Sequence, residues 1–181
     1  MPDEHKGSQE FIVPGNDPCF LANRVSFFFN FNGPSIVVDT TCSSAFVALD
    51  MVCQALEAGD CDYAIVGGVS LFLNPWKAEE TTATPFETGG EDMHSFSEKA
   101  SGYRTSEGCA ALLLQINSDE LNRHHYVYGV VSATGHNSGG KTKSFAQPNK
   151  EQQTSLFQTV LKRANLLPER IQYVEALSVA S

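Results

Sequence analysis

Apolar residues recur every three or four positions in three stretches of this chain, which is the spacing of one face of an α-helix. The stretches are residues 19–31, 43–58 and 149–164. A glycine–proline pair stops the first, and Gly59 is placed to end the second as a left-handed C-terminal residue. Asn149, with a glutamine three residues later, resembles a capping box at the start of the third. The apolar positions with this period are Leu21, Val25, Phe28, Ala45, Leu49, Val52, Leu56, Leu156, Phe157, Val160, Leu161 and Ala164.

Short apolar runs rich in β-branched residues lie between and beside these helices and predict strands. The first two strands flank the second helix, so the three form a βαβ unit whose crossover is expected to be right-handed. The third and fourth strands are expected to pair like a hairpin around a polar turn at 117–125. The pattern therefore predicts an α/β fold, a mixed sheet with flanking helices. The five predicted strands are residues 35–39, 63–69, 108–116, 126–134 and 171–176.

Two segments have no period. Residues 1–18 are polar and contain three prolines, which predicts a tail and loop before a domain over residues 19–181. Residues 74–101 are acidic and threonine-rich, which predicts a long loop. At 181 residues the chain is long enough for one domain with a substantial core.

The net charge and the hydropathy of the chain indicate which classes of partner and which location to expect. The net charge of −9 disfavours nucleic acid. Up to residue 122 there are 18 acidic and 5 basic side chains, and beyond it 7 basic and 3 acidic ones. This basic third either attracts an acidic protein or a phosphate-bearing ligand, or consists of ordinary solvated lysines. No uncharged apolar run reaches the roughly 18 residues of a membrane span, and no signal peptide is recognised, so we expect a soluble cytoplasmic protein.

The five cysteines offer the clearest candidate chemistry. An odd count without paired spacing argues against a disulfide framework, and no spacing is typical of metal ligands, so we expect no metal site. Each cysteine is on general grounds a candidate for core packing. Cys42 differs because it follows the apolar run at 36–38 and opens the second helix, where backbone N–H groups and the helix dipole favour a thiolate. That setting suits a nucleophile for acyl transfer.

The residues around Cys42 also carry a family signature. Residues 38–44 match the pattern Val-Asp-Thr-Ala-Cys-Ser-Ser except at Thr41, and further similar segments follow in order over nearly the whole chain from residue 19. The chain resembles the β-ketoacyl synthase domain of type I fatty acid synthases and polyketide synthases. Its run of three phenylalanines favours the animal fatty acid synthase side. The other similar segments include Leu21–Phe29, Gly59–Asp62, Ala64–Val69, Ser106–Gly108 and Tyr173–Ala176.

This resemblance implies a thiolase-like fold, here incomplete, with parts of the family's two duplicated halves, which dimerise. It implies decarboxylative Claisen condensation. Cys42 accepts an acyl group from the phosphopantetheine arm of an acyl carrier protein, and a malonyl carrier supplies the carbanion equivalent. The Cys42 backbone N–H would form half of the oxyanion hole, and the other half belongs to a glycine-rich turn that this chain does not contain. Phosphopantetheine arrives on the carrier, so the chain is expected to bind no cofactor of its own.

Two departures bear on catalysis. Leu177 occupies the position of the family's first catalytic histidine, and leucine cannot donate a hydrogen bond to an enolate oxygen. Ser181 takes the place of a threonine that contacts pantetheine, and it keeps the hydroxyl. The family's second histidine and its lysine lie in a C-terminal half that this chain lacks. The chain's own histidines fall on no catalytic position and are expected at the surface or in loops: His5, His94, His124, His125 and His136.

Three hypotheses remain. The chain is a piece of a ketosynthase with Cys42 as its nucleophile, and is not expected to complete the condensation alone. Alternatively, it is a non-condensing relative that binds acyl chains or a carrier, or only dimerises. In the third hypothesis it has no stable fold, because a sheet that lacks strands exposes unpaired edges.

Overall fold

The computed structural model describes residues 11–73, 94–100, 106–118, 126–144 and 147–176. Within them β1 and β2 are neighbours in a two-stranded sheet. Single turns of 3-10 helix precede α3 and follow α4. The helices are α1 (Ile12–Asn16), α2 (Phe20–Phe29), α3 (Ser44–Ala58) and α4 (Lys150–Arg163); the strands are β1 (Tyr63–Ser70) and β2 (Gly108–Gln115); the 3-10 turns are Thr41–Ser43 and Pro168–Arg170.

The three long helices lie where the apolar period predicts them. Gly59 ends α3 with φ 79°, and Asn30 ends α2 in the same left-handed region with φ 56°. At the start of α4 the Asn149 side chain accepts a hydrogen bond of 3.2 Å from the Gln152 N–H, as the capping pattern predicts. The short helix α1 interrupts the segment that its prolines predicted to be tail and loop.

The strand predictions hold only in part. β1 and β2 form, but the described residues place no strand at 35–39, 126–134 or 171–176. The predicted hairpin is wrong, because β2 pairs with β1. The reason is that a strand is defined by hydrogen bonds to a neighbouring strand, which an apolar run cannot supply alone.

The described residues within 11–66 and 112–164 form one compact unit, which contains α1 to α4. Leu56 on α3 and Val66 on β1 are its buried apolar side chains among the described residues. Gly135 lies against α4 so closely that a Cβ there would stand 2.9 Å from Val160 Cγ2. This close approach requires glycine and joins the 126–137 segment to α4.

The second unit comprises the described residues within 67–111 and 165–176. In its described part, a Cβ at Gly67 would lie 3.3 Å from the Ala110 carbonyl oxygen, so the two strands come together closely there. Glu107 Oε1 accepts a hydrogen bond of 2.6 Å from the Phe72 N–H.

The helical period at 19–31 predicts a helix packed into the core, and the apolar run at 63–69 predicts a buried strand, but both predictions are wrong in the described residues. α2 has no buried residue, and its Phe27 and Phe28 are 90% and 78% exposed. β1 buries only Val66. Their apolar residues lack packing partners within the described part of the chain. No helix there combines the length and hydropathy needed to cross a membrane.

Candidate active site

Cys42 lies in the 3-10 turn that leads into α3. The preceding residue, Thr41, has φ 58°, a left-handed conformation that is strained for a β-branched side chain. The Thr41 N–H donates a hydrogen bond of 3.1 Å to Asp39 Oδ1. This bond from the end of the incoming segment holds the turn in which the cysteine is presented.

Hydroxyl groups close the same turn. Ser44 Oγ accepts from the Thr40 N–H at 2.8 Å and donates to the Thr41 carbonyl at 2.6 Å. Ser43 Oγ donates to the Thr40 carbonyl at 2.9 Å. The N–H groups on the N-terminal side of Cys42 are therefore occupied by side-chain oxygens.

The Cys42 N–H takes part in none of the side-chain hydrogen bonds that close this turn. The Cys42 side chain is exposed. An N–H at a helix start that no side chain occupies can donate to a developing oxyanion, and the adjacent exposed sulfur can attack an acyl group.

The other cysteines lie in different surroundings. Cys19 is exposed at the start of α2, but a hydrogen bond with the Asp17 carboxylate raises the pKa of its thiol. Burial raises the pKa of the Cys53 thiol. Cys61 is half-buried beside Gly33, and Cys109 is exposed on β2.

Several of the candidate site residues and histidines considered from the sequence lie outside the described part of the structure. Leu177 and Ser181 are among them, so the structure does not relate them to Cys42. His5, His124 and His125 also lie there. His94 is exposed, as expected.

His136 is half exposed, as a loop histidine should be, but it bonds to a buried carboxylate that the sequence analysis missed. Asp50 on α3 is 3% exposed. Its Oδ2 lies 2.7 Å from His136 Nδ1 and accepts a hydrogen bond of 2.9 Å from Gln54 Nε2. Its Oδ1 accepts from Thr134 Oγ1 at 2.5 Å. The signal in the sequence was that Asp50 is the single charged residue between positions 43 and 56.

Opposing effects act on the Asp50 carboxyl. Burial would raise its pKa, because it removes the charge from water. Hydrogen bonds from Thr134 and His136 and the positive charges of His136 and Arg163 outweigh burial and hold the pKa below its ordinary value. Asp50 is therefore a buried carboxylate with partners at both oxygens.

A cleft of about 650 Å³ lies between the loop at 137–144 and the start of α4. Asn137 Nδ2 donates to the Gln152 carbonyl, and Asn149 Nδ2 donates to the Gly139 carbonyl, both at 2.8 Å. Lys141 and Lys143 line the cleft and belong to the basic third of the chain.

In the described ranges no three histidine, cysteine, aspartate or glutamate side chains come together as a metal-ligand set.

Known proteins are similar to this chain in sequence and in fold. Residues 1–120 match the family described as β-ketoacyl synthase, N-terminal domain, and residues 128–181 match β-ketoacyl synthase, C-terminal domain. The non-reducing polyketide synthase subA of Metarhizium robertsii is 40% identical over 167 residues, which are 92% of this chain and 8% of that protein. The polyketide synthase PksL of Bacillus subtilis is 34% identical over 173 residues, which are 96% of this chain and 4% of that protein.

Solved structures give the same result for the fold. The ketosynthase from module 6 of the bacillaene synthase of Bacillus subtilis superposes with a TM-score of 0.83 at 32% identity, over 90% of this chain and 30% of that one. An oxazolomycin ketosynthase domain of Streptomyces albus superposes with a TM-score of 0.77 at 39% identity, over 83% of this chain and 27% of that one. The fold is thus thiolase-like and partial, as expected, with parts of both family halves. These relatives are polyketide synthases, whereas the phenylalanine run favoured fatty acid synthases.

Proposed function

The chain belongs to the β-ketoacyl synthase family, and on that basis we propose that Cys42 is the acyl-accepting nucleophile of a polyketide synthase ketosynthase. The observation that carries this proposal is the turn at the start of α3. Its side chains occupy the neighbouring N–H groups, take none of their hydrogen bonds from the Cys42 N–H, and leave the Cys42 sulfur exposed. The chain spans less than a tenth of the curated relatives cited above, so the activity of a whole synthase belongs to this proposal.

The acyl-transfer step uses two groups of Cys42, its sulfur and its backbone N–H. Its sulfur, as the thiolate, attacks the carbonyl carbon of an acyl thioester on the phosphopantetheine arm of an acyl carrier protein. A new C–S bond forms, and the Cys42 N–H donates to the oxyanion. Collapse of this intermediate breaks the old C–S bond, and the pantetheine sulfur leaves as a thiolate that takes up the proton that Cys42 gave up.

Condensation requires a further hydrogen-bond donor. Decarboxylation of a malonyl carrier leaves an enolate whose oxygen needs a hydrogen-bond donor, and Leu177 at the family's histidine position offers none. We therefore assign acyl loading, and not the complete condensation, to this chain alone. Ser181 keeps a hydroxyl for pantetheine, and a second copy of the complete domain is the expected dimer partner.

The proposal is tested with cerulenin, a cysteine-directed mimic of an acyl chain. Intact mass should show one adduct on the wild-type protein and on Cys19→Ala, and none on Cys42→Ala. Cys19 is the matched control because it is also exposed and also precedes a helix. Labelling that persists in Cys42→Ala overturns the assignment.

Loading is then measured directly with an acyl-pantetheine thioester. One free pantetheine thiol should be released for each acyl-enzyme formed. Condensation with a malonyl carrier by this chain alone would contradict the role assigned to Leu177.

A further inference from the structure

We propose that Asp50 is a positioning residue for Cys42, which, with Thr134 and His136, docks the nucleophile helix α3 onto the 126–137 segment. This inference rests on the proposed function of Cys42. In this inference the position of Cys42 depends on Asp50, a buried carboxylate in the second turn of α3 that lies far from the reacting sulfur.

The contacts join distant parts of the sequence. Thr134 and His136 are separated from Asp50 by 84 and 86 positions, and each bonds to a different carboxylate oxygen. The same segment reaches α4, because Arg163 Nη1 donates a hydrogen bond of 2.9 Å to the Thr134 carbonyl. Asp50 thus links α3 to a segment that α4 also holds.

Asp50 acts on Cys42 through the helix. Eight positions separate the two residues, which is about 12 Å of helical rise. A helix is rigid over this length, so fixing the second turn of α3 fixes the direction in which the 3-10 turn at its start presents the cysteine. Asp50 is therefore separate from the groups that touch the substrate.

The geometry specifies a carboxylate. Ionised Asp50 can only accept hydrogen bonds, so His136 Nδ1 must carry a proton and donate it. Leaving this charge buried without partners is expensive, which makes the docked arrangement depend on Thr134 and His136 together. Arg163 on α4 and Cys53 on α3 also interact electrostatically with Asp50, and Glu57 interacts with Cys53.

Thr134 gives the mildest test, because valine has nearly the shape of threonine without its hydroxyl. We expect the maximal rate of Cys42 modification by cerulenin to fall about tenfold in Thr134→Val, the factor for one hydrogen bond to a charged group. The half-saturating concentration should stay unchanged, since the acyl site is untouched. Thr134→Ser, which keeps the hydroxyl, should restore the rate.

A matched control is available on α4. Thr154 Oγ1 donates only to the Lys150 carbonyl of its own helix. Thr154→Val removes the same hydroxyl from the same unit without touching Asp50, and its rate should equal that of the wild type.

Asp50→Asn adds a spectroscopic readout. In the wild type, 15N chemical shifts should show that His136 Nδ1 carries a proton. In the asparagine variant the new amide donates toward Nδ1, so the ring should shift its proton to Nε2. Far-UV circular dichroism establishes that each variant is folded before it is compared.

Two outcomes overturn the inference: equal maximal rates in Thr134→Val and Thr134→Ser, or a wild-type His136 whose Nδ1 carries no proton. Failure of the proposed function gives a different result, because cerulenin would then leave wild-type Cys42 unmodified. In that case the same variants are compared by alkylation of Cys42 with iodoacetamide. A slower rate in Thr134→Val than in Thr134→Ser supports positioning by Asp50, and equal rates overturn it.

Discussion

Two cysteines lie at the starts of two helices, and we propose only one of them, Cys42, as a nucleophile. Cys19 precedes α2 and Cys42 precedes α3, and both side chains are exposed. The Cys19 N–H is taken by Asp17 Oδ1 at 3.1 Å, and this carboxylate raises the pKa of the thiol. At Cys42 the carboxylate of Asp39 instead accepts from the preceding N–H. A helix start therefore does not define a nucleophile, and the position of the nearest carboxylate decides between them.

The helices behind the two cysteines are also held differently. α2 is fixed by Ser26 Oγ donating to Ser35 Oγ at 2.8 Å and by Arg24 donating to the Pro14 carbonyl at 2.6 Å. α3 is fixed by the buried carboxylate of Asp50. The anchoring of α3 therefore depends on ionisation, whereas these two contacts of α2 contain no titrating carboxylate.

Acid should produce the largest difference between the two helices. The folded-state pKa of Asp50 lies below its ordinary value, so its contribution to stability is complete above the unfolded-state pKa and is lost as pH falls through the folded-state pKa. Amide hydrogen exchange should show α3 losing protection in this acid range before α2 does. The Asp17 carboxyl at α2 also has a lowered pKa, but it is fully exposed and screened by solvent.

The control for this acid transition is Asp50→Asn, which has no charge to lose. Its α3 protection should be reduced already at neutral pH and should change little on acidification. Equal loss of protection in both helices of the wild type would remove the distinction between their anchors.

Asp39→Ala should produce the next largest effect. It deletes the acceptor of the Thr41 N–H and loosens the turn that presents Cys42. We expect cerulenin modification of Cys42 to slow about fivefold, the factor for about 1 kcal/mol of hydrogen bonding. Asp39→Asn keeps an acceptor oxygen and should retain most of the rate, so equal slowing in both variants would argue for the charge instead of the bond.

The local pattern of the sequence predicted the three long helices well, but the strand that it predicted before Cys42 does not form. Helical period placed α2, α3 and α4, and the Asn149 cap was recognised from two residues. Burial was predicted poorly, because it depends on what covers a face. The chain spans 27–30% of the solved ketosynthase chains cited above, and the apolar faces of α2 and β1 find no cover among the described residues.

The Asp50 cluster shows the second limit of sequence reasoning. A lone charge in an otherwise uncharged run, residues 43–56, indicates a buried carboxylate, but nothing local identifies partners 84 and 86 positions away. Strand pairing has the same long-range character, which is why β2 was assigned the wrong neighbour. Features fixed within about one helical turn were predictable, and those fixed across the fold were not.

Asp17→Asn should make the two cysteines more alike. Removing this carboxylate removes the hydrogen bond and the charge that raise the pKa of Cys19, so a larger fraction of the thiol is ionised at pH 8. Alkylation of Cys19 by iodoacetamide, followed by peptide mass analysis, should accelerate modestly while Cys42 reacts as before. An unchanged Cys19 rate would show that Asp17 does not control this thiol.

The smallest change in Cys42 chemistry is expected from Thr41→Asn, which instead tests the strain of the turn. Thr41 has φ 58°, nearly the same as Asn30 at the end of α2 with φ 56°, but a β-branched side chain tolerates this region poorly. Asparagine should stabilise the fold by about 1 kcal/mol, and the reciprocal Asn30→Thr should destabilise it by a similar amount, as measured by urea unfolding. The cerulenin rate should stay the same in Thr41→Asn, because the backbone bonds of Thr41 to Asp39 and Ser44 remain. A loss of stability in Thr41→Asn would show that the threonine side chain itself supports the turn, and the departure from the family's alanine would then be a structural requirement of this chain.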